Sequence, residues 1–210
     1  MSVLVFPDAA SLTDLRTYAA RLRRLDPDGA LRLHASGGLL AAYAGVLPGR
    51  GVTGSGAVIG LRILTLAKPA QVDATVPASA ILDRLARTPR PGGPFTLPVP
   101  PVSVFVSWAG VAPPRTGWSV IGDLDAASLE LAAQEGIAEI AAAGTGLAAQ
   151  VEALRARVWS APFAEGTPAP RGLAFAAYGL GFVRAGEPAR LSRAGTWWRL
   201  TTPIGHALGR

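Results

Sequence analysis

Residues 88–101 hold six prolines and two glycines. Proline withholds a backbone N–H and fixes φ, so neither a helix interior nor a central strand runs through such a stretch. The chain therefore reads as an N-terminal α+β subdomain over residues 1–90, a Pro-rich linker over 91–101 and a C-terminal α+β subdomain over 102–210, with one compact domain overall as the alternative. At 210 residues it is long enough to bury a core either way. The longest uncharged stretch, 91–114, carries seven prolines. A spanning helix needs roughly 20 apolar residues in a row, so no membrane helix is expected there.

Cysteine is absent, which removes disulfides, thiolate chemistry and sulfur-ligated metals and suits a reducing compartment. Two histidines, His34 and His206, are too few for an imidazole metal centre without carboxylates, so no metal and no cofactor are expected. The apolar run near the amino terminus ends at Pro7-Asp8 with no basic residue before it, unlike a signal peptide, and a cytoplasmic protein is expected. Mean hydropathy of +0.32 implies much buried surface, including a subunit interface, and a homodimer is expected.

The net charge of +6 comes from 20 basic and 14 acidic residues, all but one of the basic ones (Lys68) being arginine. Residues 1–90 carry 11 basic and 6 acidic groups, 91–125 carry 1 and 2, 126–165 carry 2 and 5, and 166–210 carry 6 and 1. Basic ends around an acidic middle suit an anionic partner or protomers that complement one another.

Along the chain, Val3-Leu4-Val5-Phe6 reads as a buried strand. Ser11-x-x-Asp14 resembles a capping box ahead of a helix with Leu12, Leu15, Ala19 and Leu22 on one face, stopped by Asp26-Pro27-Asp28-Gly29. Residues 31–35 and 39–47 around Ser36-Gly37-Gly38 read as a hairpin, 58–66 as a further strand, and Thr75-Val76-Pro77-Ala78-Ser79 as leading into a short helix through Ile81, Leu82 and Leu85. This gives an N-terminal mixed or antiparallel sheet with two helices. Beyond the linker, 102–106 reads as a strand and Trp108 to Trp118 as an ordered loop. A helix comes after Asp123 and Asp125 with Leu129, Ala133, Ile137 and Ile140 in register, and Gly144-Thr145-Gly146 breaks it. A second helix carries Leu147, Val151, Leu154 and Val158, a third spans about 173–180, and a terminal β-hairpin runs from Arg190 to Thr201.

Gly49-x-Gly51-x-x-Gly54 matches the dinucleotide fingerprint in letters. That motif works only when a helix comes next to offer its amides to pyrophosphate, whereas residues 58–66 read as strand, so a hairpin loop is expected. No Gly-x-Ser-x-Gly elbow and no phosphate-binding Walker sequence occurs. Asp123-x-Asp125 could share Mg²⁺, but helix capping accounts for the same residues, and Asp8 suits the start of the first helix. His34 lies in an alternating strand; His206 comes after a proline-fixed turn, where function is more often carried. Arg190, Arg193, Trp197, Trp198 and Arg199 bring arginines and aromatic rings together, a combination that neutralises phosphate and stacks on bases. Successive strand residues face opposite ways, so one tryptophan is expected in the core. The candidate binding residues are Arg190, Arg193, Trp198, Arg199 and His206; no catalytic residue is assigned.

The stretches Leu25-Asp26-Pro27-Asp28-Gly29-Ala30, Trp108-Ala109-Gly110-Val111-Ala112-Pro113-Pro114-Arg115-Thr116-Gly117-Trp118 and Arg193-Ala194-Gly195-Thr196-Trp197-Trp198-Arg199-Leu200, ending in Gly205-His206, resemble an uncharacterised actinobacterial protein family of unknown function. The resemblance implies a single full-length family and carries over no activity.

The expected function is non-catalytic association as a homodimer. Binding of nucleic acid or another polyanion through the Arg-rich ends is the first alternative. An enzyme on a phosphorylated or nucleotide-like substrate, using His206 or an aspartate with arginine clamps, is the second.

Overall fold

A computed structural model describes residues 2–51, 53–86, 93–110, 112–143, 148–164 and 167–210. Gly144-Thr145-Gly146, Leu147 and residues 88–92 of the Pro-rich run lie outside the described residues. The fold is α+β and divides into two units, Met1–Val46 with Leu61–Gly110, and Leu47–Gly60 with Val111–Arg210. Among the described residues, no helix is long and apolar enough to cross a membrane.

The first unit holds β1 (Val3–Phe6), α1 (Ala9–Leu25), most of β2 (Ala30–Leu47), β3 (Val58–Pro77) from Leu61 on, α2 (Ala78–Leu85) and β4 (Phe95–Pro98). Leu12, Leu15, Tyr18, Ala19 and Leu22 recur at spacings of three and four and are buried on one face of α1. The cap of α1 is Asp8, whose Oδ1 accepts from the Ser11 N–H at 2.7 Å and from its hydroxyl at 2.8 Å. The expected box at Ser11-x-x-Asp14 is therefore three residues late, and Asp14 pairs with Arg62 instead.

The Pro-rich run contains a strand. β4 pairs antiparallel with β1, from Val3 opposite Pro98 to Phe6 opposite Phe95. In a sheet of two strands each has a free side, and Pro98 occupies a strand end, so the missing N–H disturbs no interior ladder. Residues 102–106, by contrast, form no strand despite their valines; the Val104 N–H reaches the Thr75 carbonyl at 2.9 Å, and Phe105 is 98% exposed.

The continuous extended stretch β2 reverses direction at Gly37, whose φ is 61°. Arg32 Nη1 donates to the Ala109 carbonyl at 2.8 Å, while a Cβ on Gly45 would lie 2.2 Å from Trp108 Nε1. A straight strand would put residues 32 and 45 roughly 43 Å apart, out of reach of two adjacent residues. The chain therefore folds back near Gly37, and Leu31, Leu33, Ala35, Leu40, Ala42 and Ala44 on its two arms are all buried. The hairpin read in the sequence is this reversal.

In the second unit, Gly49, Gly51, Gly54 and Gly56 all have positive φ, and Arg50 and Ser55 exchange backbone hydrogen bonds of 2.8 and 3.0 Å. The Gly-x-Gly-x-x-Gly letters thus form a hairpin loop leading into β3, with no helix behind it. The sheet of this unit runs from the start of β3 through β10 (His206–Gly209), β9 (Trp197–Thr201) and β8 (Ala189–Ala194) to β5 (Ser119–Leu124) at its outer edge. The helices are α3 (Ala126–Ala142), α4 (Ala148–Ser160) and α5 (Gly172–Gly179), with a small ribbon of β6 (Pro162–Ala164) and β7 (Thr167–Pro170) between the last two.

The buried stripe of α3 is Ala126, Leu129, Ala132, Ala133 and Gly136, and Ile137 of the expected face is exposed. Small residues win that stripe because α4 presents a large one: a Cβ on Gly136 would fall 2.4 Å from the Trp159 ring. Trp159 in turn stacks on Phe175 of α5 at 4.3 Å between centroids.

Candidate functional site

The candidate binding residues sit on β8, β9 and β10, where register decides which of them share a face. Arg190 lies opposite Thr201, Ser192 opposite Arg199 and Ala194 opposite Trp197. His206 lies opposite Thr201 and Leu208 opposite Arg199. Residues directly opposite in an antiparallel pair share a face. Arg190, Arg199 and His206 therefore lie on one face, Arg193 and Trp198 on the other. Trp197 and Trp198 point to opposite faces, yet both are buried, at 5% and 8% exposure, so the core takes both tryptophans.

The arginines differ in what they meet. Arg190 Nε donates to Asp123 Oδ1 of β5 at 3.1 Å, an exposed pair. Arg193 sits 5.0 Å over the Trp198 ring and donates from Nε to the Gly195 carbonyl at 3.0 Å. Arg199 sits 4.4 Å over the Trp118 ring. Its Nε is buried without a hydrogen-bond partner, and among the described residues it forms no ion pair. Burial holds its pKa below the ordinary arginine value.

His206 is placed by the turn before it. The Thr202 hydroxyl accepts from the N–H groups of Ile204 and Gly205, each at 3.2 Å, which closes Thr202-Pro203-Ile204-Gly205. His206 Nδ1 then lies 3.0 Å from Thr201 Oγ1. Burial, and after it the charge of Arg199, lowers the imidazole pKa from 6.5. A base weakened in this way beside a cation draws a proton from a hydroxyl poorly, so the pair is better suited to holding an anion than to activating Thr201.

The remaining candidates have folding duties. Asp125 accepts from the Ser128 N–H at 2.8 Å and its hydroxyl at 2.5 Å as the cap of α3. Asp123 is taken by Arg190, so the Asp-x-Asp pair is divided between cap and ion pair. Among the described residues, no group of three or more His, Asp or Glu is placed to hold a metal ion. In the first unit, His34 Nδ1 lies 3.6 Å from Asp73, which is itself bound by Arg32 at 2.7 and 2.8 Å. A shallow depression of about 300 Å³ includes Asp125, Glu130 and Glu187 in its lining. Sequence reasoning missed Trp118 as the platform for Arg199 and Asp123 as the partner of Arg190; both depend on strand pairing rather than on local pattern.

No curated protein is detectably similar in sequence. In fold the chain is similar to the DNA polymerase III subunit beta from Pseudomonas aeruginosa, with a TM-score of 0.53 at 12% identity over 100% of this chain. It spans 64% of that chain's length. Residues 113–210 match the model described as Domain of unknown function (DUF8185). Residues 1–110, more than half of the chain, match Domain of unknown function (DUF8010), and the protein belongs to that family.

Proposed function

We propose that this protein acts without catalysis in the cytoplasm, by associating with a second copy of itself along the outer edge of β5. The observation that carries this reading is the state of that strand. It ends the sheet of the second unit, and Val120 and Ile121 on it are 62% and 53% exposed. Edge strands that remain single are blunted by lysine, proline or inward-pointing charge. β5 reads Ser119-Val120-Ile121-Gly122-Asp123-Leu124, and its one charge is already paired with Arg190. Its irregularity, a bulge at Ile121, puts forward an isoleucine rather than a charge.

A two-fold axis would set β5 antiparallel to its copy, joining the backbone groups of its outer side and covering the same apolar pair on both protomers. The solved protein of similar fold is itself named as a subunit. Light scattering during size exclusion is expected to give a dimer for the natural chain and a monomer for Val120→Lys/Ile121→Lys. A monomer for the natural chain at concentrations of about 100 μM and above, or a dimer unaffected by the two lysines, overturns the proposal.

A further inference from the structure

Among the described residues, Arg199 is a cation without an anion. Half-buried charge is costly unless it is paired and hydrogen-bonded, and every other arginine of the candidate set has a visible partner: Arg190 has Asp123, and Arg193 has the Gly195 carbonyl and the Trp198 ring. Trp118 holds one flat side of the Arg199 guanidinium and Nε is buried, which leaves the Nη groups to meet a ligand. His206 shares that face of the sheet and lies diagonally across from Arg199, since residue 208 pairs with 199 and residue 206 with 201. Diagonal neighbours are about 7–8 Å apart. With Nδ1 engaged by the Thr201 hydroxyl, Nε2 is the ring nitrogen left over. When that hydroxyl donates to Nδ1, the neutral ring carries its proton on Nε2 and offers a second donor.

We infer that Arg199 and His206, oriented by Trp118 and Thr201, form a binding site for one phosphate group. The two coplanar oxygens of a carboxylate can be taken up by the guanidinium alone. A tetrahedral anion presents oxygens to both. The phosphate can belong to a small phosphomonoester or to a nucleic-acid backbone, and the chemistry at Arg199 is common to the two.

Inorganic phosphate titrated into the full chain by calorimetry is expected to bind one to one. Arg199→Gln is expected to weaken it at least tenfold, and His206→Gln about two- to fivefold. Arg157→Gln, removing an exposed arginine of α4 that is paired with Glu139, is expected to change it less than twofold. Phosphate is expected to raise the melting temperature of the natural chain and of Arg157→Gln but not that of Arg199→Gln. Should Arg199→Gln fail to fold, Arg199→Lys keeps the charge without the fork and is expected to bind at least threefold more weakly. No binding by the natural chain at 20 mM phosphate, or equal weakening by Arg157→Gln and Arg199→Gln, overturns the site. A nucleoside monophosphate and a single-stranded oligonucleotide then separate the sources. A slope of log affinity against log salt well steeper than about −1 for the oligonucleotide assigns the polymer, since each released counterion adds to it. A slope near −1 or shallower for both assigns the small ester.

Discussion

The indole of Trp108 lies where a side chain on Gly45 would be: an added Cβ would stand 2.2 Å from Nε1 and 2.4 Å from Cδ1. Trp108 is buried, and overpacking a filled core typically costs about 1–3 kcal/mol. Gly45→Ala is expected to lose at least that much in urea unfolding. Gly45→Ala/Trp108→Leu should recover part of the packing strain, which would show as a coupling of the two changes in a double-mutant cycle.

Arg62 reaches Asp14 through Nε at 2.8 Å and through Nη2, and the two side chains are 18% and 32% exposed. Solvent screens such a pair in part, while the guanidinium is left half-buried if the acid is removed. Asp14→Asn is expected to cost about 1–2 kcal/mol. Chemical denaturation of both single variants and of Asp14→Asn/Arg62→Gln should give a coupling of about 1 kcal/mol; additive effects would contradict it.

Three carboxylates set the acid limit. Hydrogen bonds from Ser11 lower the pKa of Asp8, those from Ser128 lower that of Asp125, and the hydrogen bond from Arg32 lowers that of Asp73, all from 3.8. A folded-state pKa below the unfolded one gives stability that is present above about 3.8 and is lost as pH falls through the folded values. Melting temperature is expected to drop between about pH 4 and 2, with a shallower drop in Asp73→Asn and Asp125→Asn. An unchanged acid slope in both variants would count against these assignments.

His206 acts at higher pH with the same sign. Its folded pKa is lowered from 6.5 by burial and then by Arg199, so its contribution is present above 6.5 and is lost as pH falls toward the folded value. His206→Gln is expected to flatten the pH dependence of stability between about pH 7 and 5. Arg199→Gln is expected to raise the His206 pKa, read from the imidazole proton shifts; no movement would show that the two groups do not interact.

Much of the local structure was legible in the residues. The buried stripe of α1, the reversal at Gly37, the hairpin at Gly49–Gly54 and the β8–β9 pair all come from periodicity or glycine placement within a few residues. What escaped depends on distant partners. Phe95–Pro98 becomes a strand because β1 supplies its ladder from about ninety residues away, while the valines of 102–106 find no such ladder. The stripe of α3 turned away from Ile137 because Trp159 fills the space over Gly136, which α3's own sequence does not disclose. In the candidate site the residue types were visible, but their division between two faces, and the Asp123–Arg190 pair spanning 67 positions, required the register.

The chain leaves its first unit after Val46, returns at Leu61 and leaves again after Gly110. The excursion is tied to the far end of the sequence: Gly56 N–H donates to the Arg210 carbonyl at 2.8 Å, and Arg210 N–H donates to the Ala57 carbonyl at 3.1 Å. No single cut can therefore yield two whole pieces. A fragment stopping at Gly110 carries a loop whose mates are missing, and one starting at Val111 lacks the strand start beside β10. The two matched regions abut near residue 110 along the sequence, yet residues 47–60 of the first matched region belong to the second unit, so the border of the matches is not the border of the units.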